Sequence, residues 1–410
     1  MSIKSFIIIS ALAIGYQAAS AQATLKPGKW RGLTKTEKRV EIPFNFETTV
    51  VTGKPQIAII NGDERIKITD ITYKKGDSVI ILMPYDSEFR LKQQNGWLFG
   101  RWTKNLGNKL VSMDFLAVPD VDWRFKTPQN PAFNITGRWS APFGKDTTVK
   151  VNVGEFKQTG SKLTGTFLSS TGDYRYLEGV VSGNKLYMSA FDGGNNYLFT
   201  ATIASNNKIV NGKFYAGLTS VKDWSAEKNA RATLPDAYSL TALKPGYKKL
   251  AFTFKDLNGK TVSLTDARYK NKVVIVQILG SWCPNCMDET RYMVDFYKRF
   301  KAKGVEVIGL AYERTADFAQ SKRTVTQIKN KLNVPYPILI TGFTPAKGEP
   351  AKSLPMLQQV LGFPTTIMID RKGDVRKIHT GFSGPGTGEH YTDFITEFER
   401  LVIHMVEEGV

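Results

Sequence analysis

Lys272-Val273-Val274-Ile275-Val276-Gln277-Ile278-Leu279-Gly280-Ser281-Trp282-Cys283-Pro284-Asn285-Cys286 decides how the C-terminal part of this 410-residue chain folds. Its first eight residues form a nearly continuous apolar run, the pattern of a strand covered on both faces rather than one with a wet side. A CxxC pair follows, and beyond Cys286 the apolar residues Met293, Val294, Tyr297 and Phe300 recur at helical spacing. The pair therefore falls at a strand-to-helix junction. Disulfide exchange needs one accessible, stabilised thiolate and a second thiol close enough to resolve the mixed disulfide. The spacing puts Cys283 at the exposed start of the helix, where unpaired N–H groups and the helix dipole favour an anion. Cys286, one turn later, is the buried resolving thiol. Pro284 suits the first helical turn because its missing N–H costs nothing there.

These are the only two cysteines in the chain, which excludes a disulfide-stapled scaffold. Structural zinc normally takes four ligands, and the three histidines, His379, His390 and His404, all stand about a hundred residues downstream. The expectation is a redox dithiol with no metal and no cofactor; an inert structural disulfide is the blander alternative.

Downstream, Val305 to Leu310 reads as a second apolar strand and a polar, helix-like stretch runs to about Lys331. A third strand follows at Thr366 to Asp370, and the turn Arg371-Lys372-Gly373-Asp374 leads to a hairpin partner from Val375 to Phe382. A helix from about Tyr391 to Glu407 closes the chain. Such alternation predicts an α/β unit with a mixed sheet over 246–410. Upstream, about 24–240, the texture differs: short alternating segments such as Ile66 to Tyr73 and Thr200 to Ile203 are separated by turn signals. These are Asn61-Gly62-Asp63, Lys75-Gly76-Asp77, Asn95-Gly96, Ser182-Gly183-Asn184 and Asn211-Gly212. That predicts antiparallel β structure, a barrel or sandwich. Gly28-Lys29-Trp30-Arg31-Gly32 recurs as Gly137-Arg138-Trp139-Ser140, and the segment from Gly96 to Gly100 resembles that from Gly212 to Gly217. These echoes suggest two related β units divided near 127–136. Trp30, Trp97, Trp102, Trp139 and Trp224 are expected in the core, and the turn Asp192-Gly193-Gly194-Asn195-Asn196-Tyr197 as a plain hairpin loop.

The C-terminal part resembles the TlpA/ResA-like family of exported thiol–disulfide oxidoreductases, which have the thioredoxin fold. The resemblance rests on three stretches: Phe252 to Leu264, similar to the family's opening hairpin; Gly280 to Cys286; and Gly362-Phe363-Pro364-Thr365-Thr366 with Ile369 to Gly373. It implies Cys283 as nucleophile, Cys286 as resolver, Trp282 as a wall beside the thiols, and Pro364 as a cis-proline facing the disulfide. Phe363 would then offer its backbone to a substrate strand. In the thioredoxin branch a buried Asp stands six residues before the first cysteine; here that residue is Gln277, which cannot take a proton. Glu289 instead matches the acid of the ResA-like branch, the alternative being a solvated carboxylate near the helix start. Pro284-Asn285 is not the common dipeptide, so the direction of electron flow stays open, although the resemblance implies a reductant recharged by a membrane thiol electron donor.

Met1 to Ala23 reads as a secretory signal peptide: a cation at Lys4, an apolar run from Phe6 to Ile14 and the small-residue pattern Ala21-Gln22-Ala23. The run is broken at Gly15-Tyr16-Gln17, short of the roughly 20 residues a membrane span requires. The mature chain is therefore expected to be soluble, in the periplasm or otherwise exported. A net charge of +19 admits nucleic acid, yet the basic residues are scattered, so no nucleic-acid partner is expected. With 41% hydrophobic residues the chain has enough apolar side chains for real cores, which excludes a disordered protein. The leading functional expectation is reduction or exchange of disulfides in other exported proteins. The alternatives are a thiol peroxidase and a ligand- or protein-binding β protein carrying a non-catalytic thioredoxin-like domain.

Overall fold

In the computed structural model, residues 24–144 and 151–408 are described; the leader expected over 1–23 lies outside the described residues. Three sheets follow one another along the chain. The first holds nine antiparallel strands between Gly28–Lys35 and Leu110–Pro119, and these two are neighbours at its centre. Its edge strands, Glu64–Ile68 and Ile71–Lys74, are consecutive and joined only by Thr69-Asp70, so the sheet curls until its edges adjoin. The Leu82 N–H donates to Asp70 O at 2.9 Å across this seam. Ile66 to Tyr73 is therefore not the single strand its alternation suggested: it turns a corner at Asp70.

The second sheet closes fully. Eight strands form a ring because Val151–Thr159 pairs with both Gly137–Pro142 and Lys162–Ser169. The two-residue strand Gly172–Asp173 hangs outside the ring, paired only with the end of Lys162–Ser169. Closure removes open edges, and alternate side chains fill the lumen. There Phe199 stacks on Phe214 with centroids 4.3 Å apart, and Phe167 and Trp224 pack around them.

Trp30 and Trp139 play matching parts in the two barrels. Each is fully buried, each follows a positive-φ glycine (Gly28, +127°; Gly137, +125°), and each indole N–H donates to the carbonyl four residues earlier, Lys26 at 3.0 Å and Ile135 at 2.9 Å. The second sequence echo fails. Gly96 forms the turn before Trp97–Asn105, whereas Gly212 sits inside Lys208–Ala216. Asn211, at φ +52°, makes a bulge there rather than a turn. Trp97 also departs from expectation, being 42% exposed and stacked on Phe99.

The barrels are welded together. Phe191 projects from the second into the core of the first and stacks on Phe44 at 4.3 Å. Around it, Asn61 bonds the Phe191 backbone in both directions. Arg124, buried in the connecting segment, donates to Asn45 Oδ1 and Ser189 O.

The third sheet is mixed. Val273–Leu279 lies beside Val305–Ala311 in parallel and Thr365–Ile369 antiparallel. It is buried along its whole length, as the apolar run requires. Val273 and Ile275 face helices α1 (Pro284–Phe300) and α4 (Glu389–Glu407), while Val274, Val276 and Ile278 face Phe252, Val262 and Leu354. Helix α2 (Phe318–Lys331) and the short α3 (Glu349–Ser353) complete the unit. The strand Ile338–Ile340 between them gave no separate signal in the sequence.

Barrel closure leaves Gly179 no freedom, because a Cβ there would meet Tyr187 O at 1.8 Å on the paired strand. Gly179→Ala is expected to lower stability by about 1–3 kcal/mol or more. Thermal unfolding of the two variants beside the parent checks this, with Gly53→Ala, where a Cβ meets nothing, as the strain-only control.

Candidate active site

Cys283 is the N-cap of α1, in extended conformation, with Pro284 in the first turn. It is disulfide-bonded to Cys286 with Cα atoms 5.2 Å apart. Its Sγ accepts the Cys286 N–H at 3.2 Å, so the sulfur occupies the place of a capping oxygen at the positive end of the helix. Opposite lies the Phe363–Pro364 bond, which is cis, with Phe363 O 3.6 Å from Cys283 Sγ. Pro364 presents no N–H to the sulfurs. Trp282 stands beside the pair: its indole N–H donates to Tyr312 O at 2.9 Å, its ring meets Phe363 edge-on at 5.3 Å, and the Arg314 guanidinium lies over its other side.

Behind the dithiol, Glu289 is completely buried between α1 and the sheet, which removes the solvated-carboxylate alternative. Gln277 Nε2 donates to Glu289 Oε2 and Thr366 Oγ1 to Oε1, both at 2.8 Å. Gln277 is itself fixed by Tyr336, whose hydroxyl donates to its Oε1, and by Thr290. Thr290 also bonds Cys286 O at 2.7 Å, tying the network to the resolving cysteine. Burial pushes the Glu289 carboxyl up to about 7 against the opposing pull of the two donors. The strand residue that cannot titrate thus orients the helix residue that can.

One expectation fails. Cys283 is not exposed; it keeps 5% of its surface, because the β barrels stand over the helix start. Asn285 Nδ2 donates to Asp173 O at 3.1 Å, and Thr171 packs on Gly362 beside the cis-proline. Tyr85, at a hairpin tip of the first barrel, packs against the core that contains both cysteines. Arg314 Nη1 donates to Asn105 O of the same barrel. The turn from Asp192 is a hairpin loop, closed by Gly194 and Asn195 N–H groups donating to Asp192 Oδ1.

Sequence reading also missed two charged positions. Glu313, buried and pushed up by desolvation, accepts the Ser281 N–H at 2.8 Å, two residues before Cys283. Arg175, buried in the second barrel, bonds Glu64 and Asp288 and lies 3.7 Å from Asp192. Glu313 follows an apolar strand and carried a faint signal. Arg175 carried none, since its partners are remote in sequence. Among the described residues no group of three or more His, Cys, Asp or Glu forms a candidate metal site.

A dithiol at a helix N-terminus, facing a cis-proline across a mixed sheet, defines a thioredoxin-fold oxidoreductase unit. Residues 244–393 match the Redoxin family. ResA, a thiol-disulfide oxidoreductase of Bacillus subtilis (strain 168), is 30% identical over 130 residues, covering 32% of this chain and 64% of that protein. ResA of Bacillus thuringiensis subsp. konkukian is 31% identical over 144 residues, covering 35% and 72%. A solved thioredoxin-family thiol:disulfide interchange protein from Chlorobium tepidum TLS is 22% identical, covering 40% of this chain and 99% of its own at a TM-score of 0.30. The chain belongs to the TlpA/ResA-like family of thioredoxin-fold thiol–disulfide oxidoreductases. The relatives' matches span at most about a third of its length.

The raised carboxyl sets a pH dependence of stability. The folded chain keeps a proton on Glu289 that the unfolded chain releases above its ordinary value of 4.5, so stability falls as pH rises from there through about 7. The loss amounts to roughly 3 kcal/mol at about 1.4 kcal/mol per pH unit. In Glu289→Gln that part of the decline is expected to vanish; denaturant titrations between pH 4.5 and 8 measure it, and an unchanged slope would contradict the assignment.

Proposed function

We propose that the chain is an exported thiol–disulfide oxidoreductase that reduces or exchanges disulfides in other exported proteins. The carrying observation is the Cys283 sulfur capping α1 opposite cis-Pro364, with the proton-accepting Glu289 walled in behind. In the reduced enzyme the Cys283 thiolate attacks one sulfur of a substrate disulfide, forming a mixed disulfide and expelling a substrate thiolate. Cys286 then loses its proton and attacks Cys283 Sγ. The Cys283–Cys286 bond forms, the second substrate thiolate leaves, and two electrons have passed to the substrate, whose thiolates take up two protons. Glu289, with its pKa near 7, exchanges the proton of Cys286 within the closed interior. Trp282 and Phe363 wall the site, and the Phe363 backbone is the pairing edge for a substrate strand. A membrane-bound dithiol donor returns the two electrons.

The leader over 1–23 supports export, and no described helix is long and apolar enough to cross a membrane. A thiol peroxidase needs a single activated cysteine rather than a vicinal pair, and a binding protein has no use for a buried, oriented Glu289.

Three measurements test the reading. Cys286→Ser should accumulate covalent complexes with exported disulfide proteins and Cys283→Ser none; complexes forming through Cys286 instead would overturn the roles. Glu289→Gln should slow insulin reduction by about tenfold or more and flatten its rise through pH 7, since general acid–base help is typically worth about 100-fold. Rates within twofold of the parent across pH 5 to 9 would refute the proton role. Turnover of a peroxide but not of insulin would refute the reductase itself.

A further inference from the structure

Three stretches meet at the disulfide: the start of α1, the Gly362-Phe363-Pro364 loop and the Thr380-Gly381-Phe382 corner. One segment of the second barrel touches all three. A Cβ at Gly362 would lie 2.7 Å from Thr171 Cβ, one at Gly381 would lie 2.9–3.1 Å from the Ser170 to Gly172 backbone, and one at Gly172 would lie 2.3 Å from Asn285 Nδ2. Hydrogen bonds fix the same segment: Asn285 Nδ2 to Asp173 O at 3.1 Å, and Gly384 N–H to Asp173 Oδ2 at 2.6 Å. The segment thus fills the space beside Phe363 that an incoming strand would occupy.

Its attachment is slight on one side and strong on the other. Gly172–Asp173 pairs only with Leu168 and Ser169 and lies outside the closed ring, so it can swing away without opening the barrel. Two residues on, Arg175 is bonded to Asp288, two residues past Cys286, with both side chains under a tenth exposed. Asp288 also accepts from Arg291 at 2.6 Å.

Resting on the thiol–disulfide reading above, we propose that the Ser170–Asp173 tip, which a polypeptide substrate displaces to pair with Phe363, is a built-in lid on the dithiol, latched at its base by the Arg175–Asp288 pair; Tyr174, packed on Phe167, Phe199 and Phe214 of the barrel core, is the fixed point behind it. Small thiols need less room than a strand: Cys283 keeps 5% of its surface exposed, and a cleft of about 1120 Å³ between the first barrel and the redox unit is lined by Ser281 and Met287, which flank the CxxC in sequence. The lid therefore discriminates by size, barring extended protein segments while the latch holds. A lid open a tenth of the time slows the protein reaction about tenfold and leaves the small-molecule reaction alone.

The test uses the mature full-length protein. Asp288→Asn removes the latch charge and keeps the side-chain shape. A second variant, replacing Ser170 to Asp173 with Asn-Gly, removes the lid tip and decides the matter if the first does not fold. Both are expected to accelerate insulin reduction about fivefold or more, with the rate at which dithiothreitol reduces Cys283–Cys286 staying within twofold. Trypsin should also cut after Arg175 sooner in Asp288→Asn than in the parent. Insulin rates that stay at the parent's value, or rise in step with the dithiothreitol rate, overturn the lid and leave the redox reading standing. A parent disulfide that dithiothreitol reduces but that never exchanges with insulin in any variant overturns the redox reading, and the lid with it.

Discussion

Everything around the dithiol depends on where one buried guanidinium can find its counter-charges. Arg175 comes from the second barrel, Glu64 from the first and Asp288 from the helix that carries both cysteines, and Asp192 stands alongside on the next hairpin. An arginine taken out of water is tolerated only when its donors are matched, and removing one partner of such a group typically costs about 3–5 kcal/mol. The two terminal nitrogens meet Glu64 and Asp288 in only one arrangement of the three units, while Nε, 3.7 Å from Asp192, is left without a hydrogen-bond partner. The barrels are thereby held against the start of α1, and the redox centre of this chain lies at a junction rather than on an open face.

The interior of the redox unit solves a different electrostatic problem with neutral groups. A carboxyl buried completely between α1 and the strands Val273–Leu279 and Thr365–Ile369 has no cation placed against it among the described residues. Gln277 and Thr366 each give it one hydrogen bond, enough to orient the group and too little to hold it ionised. An arginine or lysine at Gln277 would fix the charge; an apolar residue would leave an oxygen without a donor. Glutamine preserves a carboxyl that changes protonation near neutrality, and its amide is in turn held by Tyr336 and Thr290.

The legible parts of the fold were those governed by local rules. The buried strand at 273–279 and the CxxC at the helix start announced themselves, because periodicity and capping act over a few residues, whereas Pro364 was placed opposite the disulfide only through the family resemblance. The β character of the first half was legible through its turns. Asn211-Gly212 misled because a left-handed Asn before Gly also makes a bulge inside a strand. The burial of Cys283 was not legible at all. It depends on Thr171, Gly172 and Asp173, more than a hundred residues upstream, and no periodicity records which hairpin tip of a barrel meets another unit. Arg175 was hidden for the same reason: a buried arginine and a surface arginine are the same letter until three distant acids converge on it.

Phe191 has a bearing on how the molecule can be divided. The ring that completes the core of the first barrel is contributed by a strand of the second, where it packs on Phe44, Phe89 and Trp102. A fragment ending after the first nine strands would carry an aromatic-lined socket open to water, large enough for a phenyl ring and bordered by Asn61, which would lose both its bonds to the Phe191 backbone. The two β units are consequently one heritable module: a recombination joint falling between them would give two sticky halves, whereas one placed in the 229–245 connector would give a barrel pair with its shared core intact.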